Sequence, residues 1–293
     1  MYQLVINGLI AGSLAALIAG GLALVYGTLG IFNLALGQMV LVGGYITWWL
    51  HQSLGLPLFA SIIGGIIGGT IVTYLIFELF VKPFYRNHRF LPLVTTIALS
   101  MILDGILLLL FGSSPKSIIP GTKHIMHIAN VYLSIEQIIM VLLTAAILCA
   151  FAYVLHSTSM GRKIRAVVQN EHAAMSLGIK APLLHLCIFL VSGIFATLGG
   201  IYIGIDTNLS PTLGFAITIK AYAAIIAGGK GNFWGAIACA YLIAFLEQFF
   251  VGIRWFGLFY IPAGYQQTVA LLFIILFLLL RPQGLFSTAN RTD

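Results

Sequence analysis

Nine apolar runs separated by short polar breaks set the pattern of this chain: roughly 4–29, 33–50, 57–81, 91–111, 134–155, 183–205, 216–228, 232–250 and 265–281. Most are long enough to cross about 30 Å of hydrocarbon as a helix. The runs are continuous, whereas a β-barrel reads as alternating segments of about ten residues. Inside lipid each backbone amide needs a partner within its own segment. The pattern therefore predicts a single all-α polytopic domain over 1–293, with about 8–9 transmembrane segments. Run 216–228 is too short to cross straight, and it ends in Gly228-Gly229-Lys230-Gly231-Asn232. It predicts a short or broken helix, which is tolerated where irregular backbone is buried in protein or lines a cavity. A second break is expected after Gly30, because residues 33–45 supply helix-start residues and close-packing glycines. A broken helix there would aim its N-terminal dipole at an anionic group. Two spans joined by a turn is the alternative.

The runs also echo one another. Ser13 and Gly20-Gly21 match Ser192 and Gly199-Gly200. Asn33, Gly37 and Tyr45 match Asn208, Gly214 and Tyr222. The offset is five segments, an odd number, so the halves would be inverted in the membrane, a common transporter arrangement. Small residues recur at helix-packing spacing in Gly8 and Gly12, in Gly64-Gly65 and Gly68-Gly69, and in Ser192, Ala196, Gly200 and Gly204.

Composition sharpens the class. Charged residues make up 7% of the chain and mean hydropathy is +1.07, against about 25% charged in soluble domains. The net charge of +7 does not point to nucleic acid, because the basic residues sit in short loops between spans. If the 82–90 loop is cytoplasmic, that side carries Lys82, Arg86, Arg89, Arg162, Lys163, Arg165, Lys180, Lys230, Arg281 and Arg291. The other side carries Lys116, Lys123 and Arg254, with Lys220 lying inside a run. This bias puts the N-terminus outside, the C-terminus inside, segment 156–182 in the cytoplasm and loop 112–133 outside. Met1-Tyr2-Gln3 carries no basic residue, and the long run after it reads as a retained first span. Cys149, Cys187 and Cys239 sit in apolar runs and read as small buried hydrophobes.

Candidate chemistry is sparse. Gly229-Lys230 lacks the flanks of a phosphate-binding loop. His124 and His127 have no carboxylate or Cys nearby to complete a metal site. The polar residues inside apolar runs are Asn33, Gln38, Glu78, Asp104, Lys220 and Glu247. Such groups are costly in a bilayer and face protein or water. Asn33, Gly37, Gln38, Asp104 and Lys220 are therefore candidates for a permeation path. A helix–helix hydrogen bond is the plain alternative for Asp104, and snorkelling to an interface for Glu78 and Glu247. In 156–182, Ile164, Val167, Val168, Met175 and Leu177 make an approximate apolar stripe. Arg162, Lys163 and Arg165 stand at its start, where the helix dipole disfavours cations. Contact with anionic lipid or an acidic partner would account for that, and a topology-setting loop is the alternative. Gly178 is placed to cap the helix and Pro182 to stop it.

The chain resembles the membrane subunits of branched-chain amino-acid ABC importers over nearly its whole length. The opening, Asn7-Gly8-Leu9 through Leu24-Val25-Tyr26-Gly27 to Asn33-Leu34-Ala35-Leu36-Gly37, is similar to the family's N-terminal pattern, with Leu34 and Leu36 where the family usually has Phe and His. The stretch from Lys220-Ala221-Tyr222 to Asn232 resembles its Gly-rich half-helix end, and Arg281-Pro282-Gln283-Gly284-Leu285-Phe286 its C-terminal signature. The resemblance implies an inner-membrane permease paired with a second related permease, two ATPase subunits and an extracytoplasmic binding protein. ATP and Mg would be held by the ATPase, with no cofactor in this chain. Importer permeases carry a cytoplasmic Glu-Ala-Ala, three-residue gap, Gly pattern. Ala173-Ala174 and Gly178 fit it, while Glu171 stands one place early. By resemblance this helix docks on the ATPase, with Arg162 and Arg165 flanking it. The substrate implied is a branched-chain or other aliphatic amino acid, with urea and short amides as alternatives. A stand-alone transporter using Asp104 and a membrane-embedded enzyme are rivals from other classes.

Overall fold

The computed structural model describes residues 2–85, 90–120, 125–128, 131–229 and 231–252, with single positions at 268, 271, 272, 275, 279, 284 and 285. In order, the elements are α1 (Tyr2–Leu29), α2 (Leu36–Trp48), α3 (Leu58–Ile76), α4 (Leu91–Phe111), β1 (Ile125–Ile128), β2 (Val131–Ser134), α5 (Ile135–Ser157), α6 (Ser159–Gln169), α7 (Glu171–Ser176), α8 (Ala181–Asp206), α9 (Leu213–Gly228) and α10 (Phe233–Gly252). Helices α2 and α3 run on into single turns of π-helix at Trp49–Ser53 and Phe77–Val81. Among the described residues, six helices are long and apolar enough to cross a membrane, and α9 is shorter. The ninth apolar run, 265–281, falls mostly outside the described residues.

Helices α1, α2, α8 and α9 form the centre, and α3, α4 and α5 the rim. Leu109 of α4 and Leu142 of α5 are largely exposed, as lipid-facing side chains should be, because lipid tails impose no penalty on bare leucine. The centre is held by the small-residue stripes. Gly8 and Gly12 receive the rings of Phe245 and Tyr241 from α10, and Gly69 receives Thr197 from α8. Where α2 crosses α8, a Cβ on Gly200 would overlap the Val40 carbonyl.

The two short helices begin inside the bundle. α1 ends at Leu29, and Gly27 lies against Gly231 before α10. Residues 30–35 then return into the protein before α2 starts. α2 runs to the opposite end, where Gln52 donates to the Ile118 carbonyl at 2.9 Å. α8 ends at Asp206 on that opposite end, and α9 starts after a similar return. The second residue of each short helix meets the other, for a Cβ on Gly37 would overlap the Gly214 carbonyl. These are the pair matched in the internal repeat. Tyr45 and Tyr222 are likewise both buried, whereas Asn33 is buried and Asn208 exposed. The packing also follows the exchange: α1 lies on α10 as α8 lies on α3.

Two expectations change. Loop 112–133 contains structure. β1 and β2 pair antiparallel, with Ile125 opposite Ser134. Lys116 and Leu209 exchange backbone hydrogen bonds at 2.9 and 2.8 Å, and Ile118 donates to Gly204 at 2.8 Å. Strands of four residues give too short a pattern to read against a loop. Of the paired histidines, His124 lies outside the described residues and His127 sits in β1; no cluster of three metal-ligating side chains occurs among the described residues. Pro182, read as a stop, lies in the first turn of α8, where its missing N–H costs nothing.

Candidate functional site

The first group of candidate residues gathers around the start of α2. Asn33 is fully buried, and its Oδ1 accepts from the Ala35 amide at 3.1 Å. The Leu34 amide donates to Thr96 Oγ1 at 3.2 Å, and the Gly37 amide to Thr218 Oγ1 at 2.9 Å. Thr218 in turn donates to the Gly214 carbonyl. These amides were the expected anchor for an anionic group, and the packing gives them to neighbouring side chains instead. Two helix N-termini meeting inside a bundle bring like partial charges together, and at the start of α2 the side-chain oxygens of Asn33, Thr96 and Thr218 answer that charge.

Gln38, 1% exposed, donates from Nε2 to Asp104 Oδ1 at 3.0 Å. The carboxylate in the middle of α4 is thus the acceptor of a helix–helix hydrogen bond near the start of α2, where negative charge is favoured. Asp104→Asn keeps an Oδ1 acceptor and should leave transport within about twofold of wild type. Asp104→Leu strips the buried Gln38 amide of its acceptor and should cost about 1–3 kcal/mol, read as a lower melting temperature in detergent. Uptake that loses an ion dependence in the Asn variant would instead assign Asp104 an ion-coupling role.

Lys220 looks the other way. Its Nζ lies 2.9 Å and 3.0 Å from the two carboxylate oxygens of Glu247 on α10. Glu247, read as snorkelling, is 5% exposed. The pair borders a cavity of about 580 Å³ between α1, α8, α9 and α10. The cavity's polar wall includes Asp206, whose Oδ1 accepts from Gln137 Nε2 at 2.8 Å. A Lys and a Glu isolated in neighbouring apolar runs signals in the sequence that such a pair is available, but not that it forms. Glu78 behaves as expected of an interfacial group. It holds Lys82 at 2.6 Å at the end of α3, and this hydrogen bond raises the ammonium's pKa above its usual value.

The remaining candidates form an elbow at the opposite end from this cavity. α6 and α7 are two helices, broken at Asn170, whose extended backbone lets its side chain accept from the Ala173 amide at 3.0 Å. Ile164 and Val167 face inward, but Val168 and Leu177 are exposed, 82% for Leu177. The predicted single stripe is therefore split by the break. Arg165 reaches back and donates to the Leu155 carbonyl in the last turn of α5. That places a cation where a helix dipole favours one, a local reason for a basic start to α6. Arg162 stays exposed and Glu171 is half-buried. Ala174 is buried against Val167 and Ala181, while Ala173 faces out. α7 ends in a Schellman turn: Gly178 donates to Met175 at 2.9 Å and Ile179 to Ala174 at 3.1 Å, with Gly178 at φ 83°. Of the C-terminal signature, Gly284 and Leu285 are described, and the Leu285 amide donates to the Ala227 carbonyl at the end of α9; its other residues lie outside the described set.

A sequence model of the family described as branched-chain amino acid transport system / permease component matches residues 4–280. The high-affinity branched-chain amino acid transport system permease protein BraD of Pseudomonas aeruginosa is 28% identical, over 97% of this chain and 94% of its own. The corresponding permease protein LivH of Escherichia coli K12 is 26% identical over the same shares. Among solved structures, a chain of PsaBC from Streptococcus pneumoniae in complex with Fab superposes with a TM-score of 0.53 at 18% identity, over 94% of this chain and 91% of that one. At that identity the likeness is one of fold.

Proposed function

This chain belongs to the branched-chain amino-acid transport permease family, and we propose that it forms one half of the membrane path of an ATP-driven importer for branched-chain or related aliphatic amino acids. A second permease of the same kind supplies the other half. Two ATPase subunits drive the cycle, holding ATP and Mg themselves, and a binding protein delivers the substrate from outside the membrane. The observation that carries this reading is the exposed α6–α7 elbow at one end of the apolar helical bundle. Its bare Ala173, Leu177 and Gly178 offer a compact, rigidly capped knob to a soluble partner. Arg162 and Glu171 flank that knob, and Arg165 fixes it to α5.

The elbow end is the cytoplasmic one in this proposal. Lys82, Arg162, Lys163, Arg165 and Lys180 all lie there among the described residues, with Lys116 at the opposite end, which fits positive-inside topology. The test is a tagged pull-down from native membranes in mild detergent, with partners identified by mass spectrometry. An ATPase and a second permease in near-equal amounts are expected. A chain that comes out alone from membranes where it is active would overturn the assignment in favour of a stand-alone transporter. In a variant lacking the three native cysteines, a cysteine at Ser159 should react with impermeant maleimide only from the cytoplasmic face. Labelling from outside would reverse the orientation.

A further inference from the structure

We propose that the groove between α3, α5 and α8 binds one phospholipid of the leaflet opposite the elbow, and that Glu136 selects a headgroup carrying a primary ammonium, as in phosphatidylethanolamine. The groove holds about 200 Å³. One stripe of α5 forms a wall, with Glu136, Met140, Leu143 and Ile147 one, two and three turns apart. Ile201 of α8 and Leu58 of α3 also line it. From Glu136 to Ile147 the stripe runs about 16 Å along the helix, at about 1.5 Å per residue. That is half of the about 30 Å of a hydrocarbon core. The stripe starts in the first turn of α5, so the groove reaches from the membrane surface to the midplane, the depth of one leaflet. Ile139 and Leu143, both lining residues, are 58% and 52% exposed, so the groove opens sideways to lipid. A volume of about 200 Å³ over that length admits an extended chain but not a helix, which is about 10–12 Å across.

The mouth of the groove fixes the headgroup. Glu136 Oε2 is buried and has no hydrogen-bond partner. A buried carboxylate oxygen without a donor is costly, so an N–H brought by a ligand is favoured there. Cations toward this end are engaged elsewhere: Lys116 lies over the Trp48 ring, 5.1 Å from its centroid, and Lys220 sits on Glu247. Tyr202 also lines the groove, but its hydroxyl donates to the Ile10 carbonyl at 3.2 Å. The first turn of α5 is rigid, because Ser134 and Gln137 close a capping box around it and Gln137 Nε2 donates to Asp206 Oδ1 at 2.8 Å. That fixes Glu136 toward the groove. A headgroup with only a phosphate would meet a like charge. A choline brings positive charge without an N–H. An ethanolamine ammonium brings both, and charge-assisted hydrogen bonds are the stronger kind. The acyl chain leaves a medium as apolar as the groove, so selection rests on the headgroup.

The experiment is photolabelling in nanodiscs of the full-length chain, purified with the subunits that accompany it. Three probes share one diazirine-bearing acyl chain and differ in headgroup: phosphatidylethanolamine, phosphatidylcholine and phosphatidylglycerol. Labelled peptides are mapped by mass spectrometry and scaled to the lipid-facing residues of α4. The ethanolamine probe is expected to label 139–147 and 198–205 about fivefold more than the other two. Glu136→Gln should bring the three probes within about twofold of one another. Leu143→Trp should remove the label for all three, and because Leu143 is half exposed tryptophan fills the groove without disturbing the core. Equal labelling by the three probes in wild type overturns the proposal, as does an ethanolamine preference that survives in Glu136→Gln. Label that appears in the isolated chain but not in the native assembly would give the groove to a neighbouring subunit and overturn the lipid site. If Glu136→Gln yields no folded protein, Leu143→Trp decides: an undiminished ethanolamine label there places the lipid elsewhere and overturns the proposal.

Discussion

Gly37→Val and Gly200→Val are each expected to abolish transport by removing folded protein from the membrane, whereas Gly105→Ala is expected to be tolerated. The contrast follows from what a new Cβ would meet. At Gly37 it overlaps the Gly214 carbonyl, and at Gly200 the Val40 carbonyl. Both obstacles are backbone inside helices, so no rotamer change relieves them. An ordinary overpacked core costs about 1–3 kcal/mol, and backbone overlap at two central crossings should exceed that range. Separating α2 from α9 would also pull Thr218 from the Gly37 amide, leaving a buried donor unpaired at about 1–3 kcal/mol. Losses of this size change cellular abundance several-fold or more. Gly105 has nothing within 4 Å of its would-be Cβ, and alanine in a helix interior is favoured by about 0.5–1 kcal/mol. Membrane immunoblots and melting temperatures in detergent decide the matter. Normal amounts of Gly37→Val protein with a normal melting temperature would mean that the two short helices do not abut as described.

The same crossings show what the chain discloses before folding. The spans were legible because lipid demands continuous apolar helix, and the shortness of run 216–228 announced a helix that starts within the bundle. The match of Gly37 with Gly214 pointed to equivalent places in two halves, and these prove to touch. Distance across the fold was not legible. Glu247 stands 27 residues from Lys220, and nothing local distinguishes a buried acid near a span end from a snorkelling one. Arg165 binds a carbonyl ten residues back across a helix break, so its basic neighbourhood read as partner-facing when part of it serves α5. Asn170 was legible in principle, since asparagine is a strong helix-capping residue, yet a continuous apolar count across it suggested one helix. The hydrogen bonds that occupy the start of α2 come from α4 and α9, and no local pattern announces them.

The elbow carries the second large effect. Gly178→Val is expected to cut ATPase co-purification and uptake by about tenfold or more, with insertion unchanged. A side chain at Gly178 would meet nothing within 4 Å, so sterics are not the cause. The cause is its φ of 83°: a Cβ in left-handed backbone costs about 1–2 kcal/mol. α7 has six residues, too few to persist without tertiary support. Its support is Asn170 at one end, the Schellman bonds at the other and Ala174 pressed on Val167 and Ala181. Loss of the C-terminal cap therefore unwinds the knob and turns Leu177 away from any partner. Gly178→Asn separates the causes, because asparagine tolerates this conformation, and it should restore most of the coupling. Ala173→Leu tests the surface alone. Ala173 is exposed, so leucine there leaves the elbow folded and should still weaken ATPase binding if the small face is what docks. Wild-type uptake and co-purification in both Gly178→Val and Ala173→Leu would remove the elbow from the coupling path and leave its basic residues as determinants of topology.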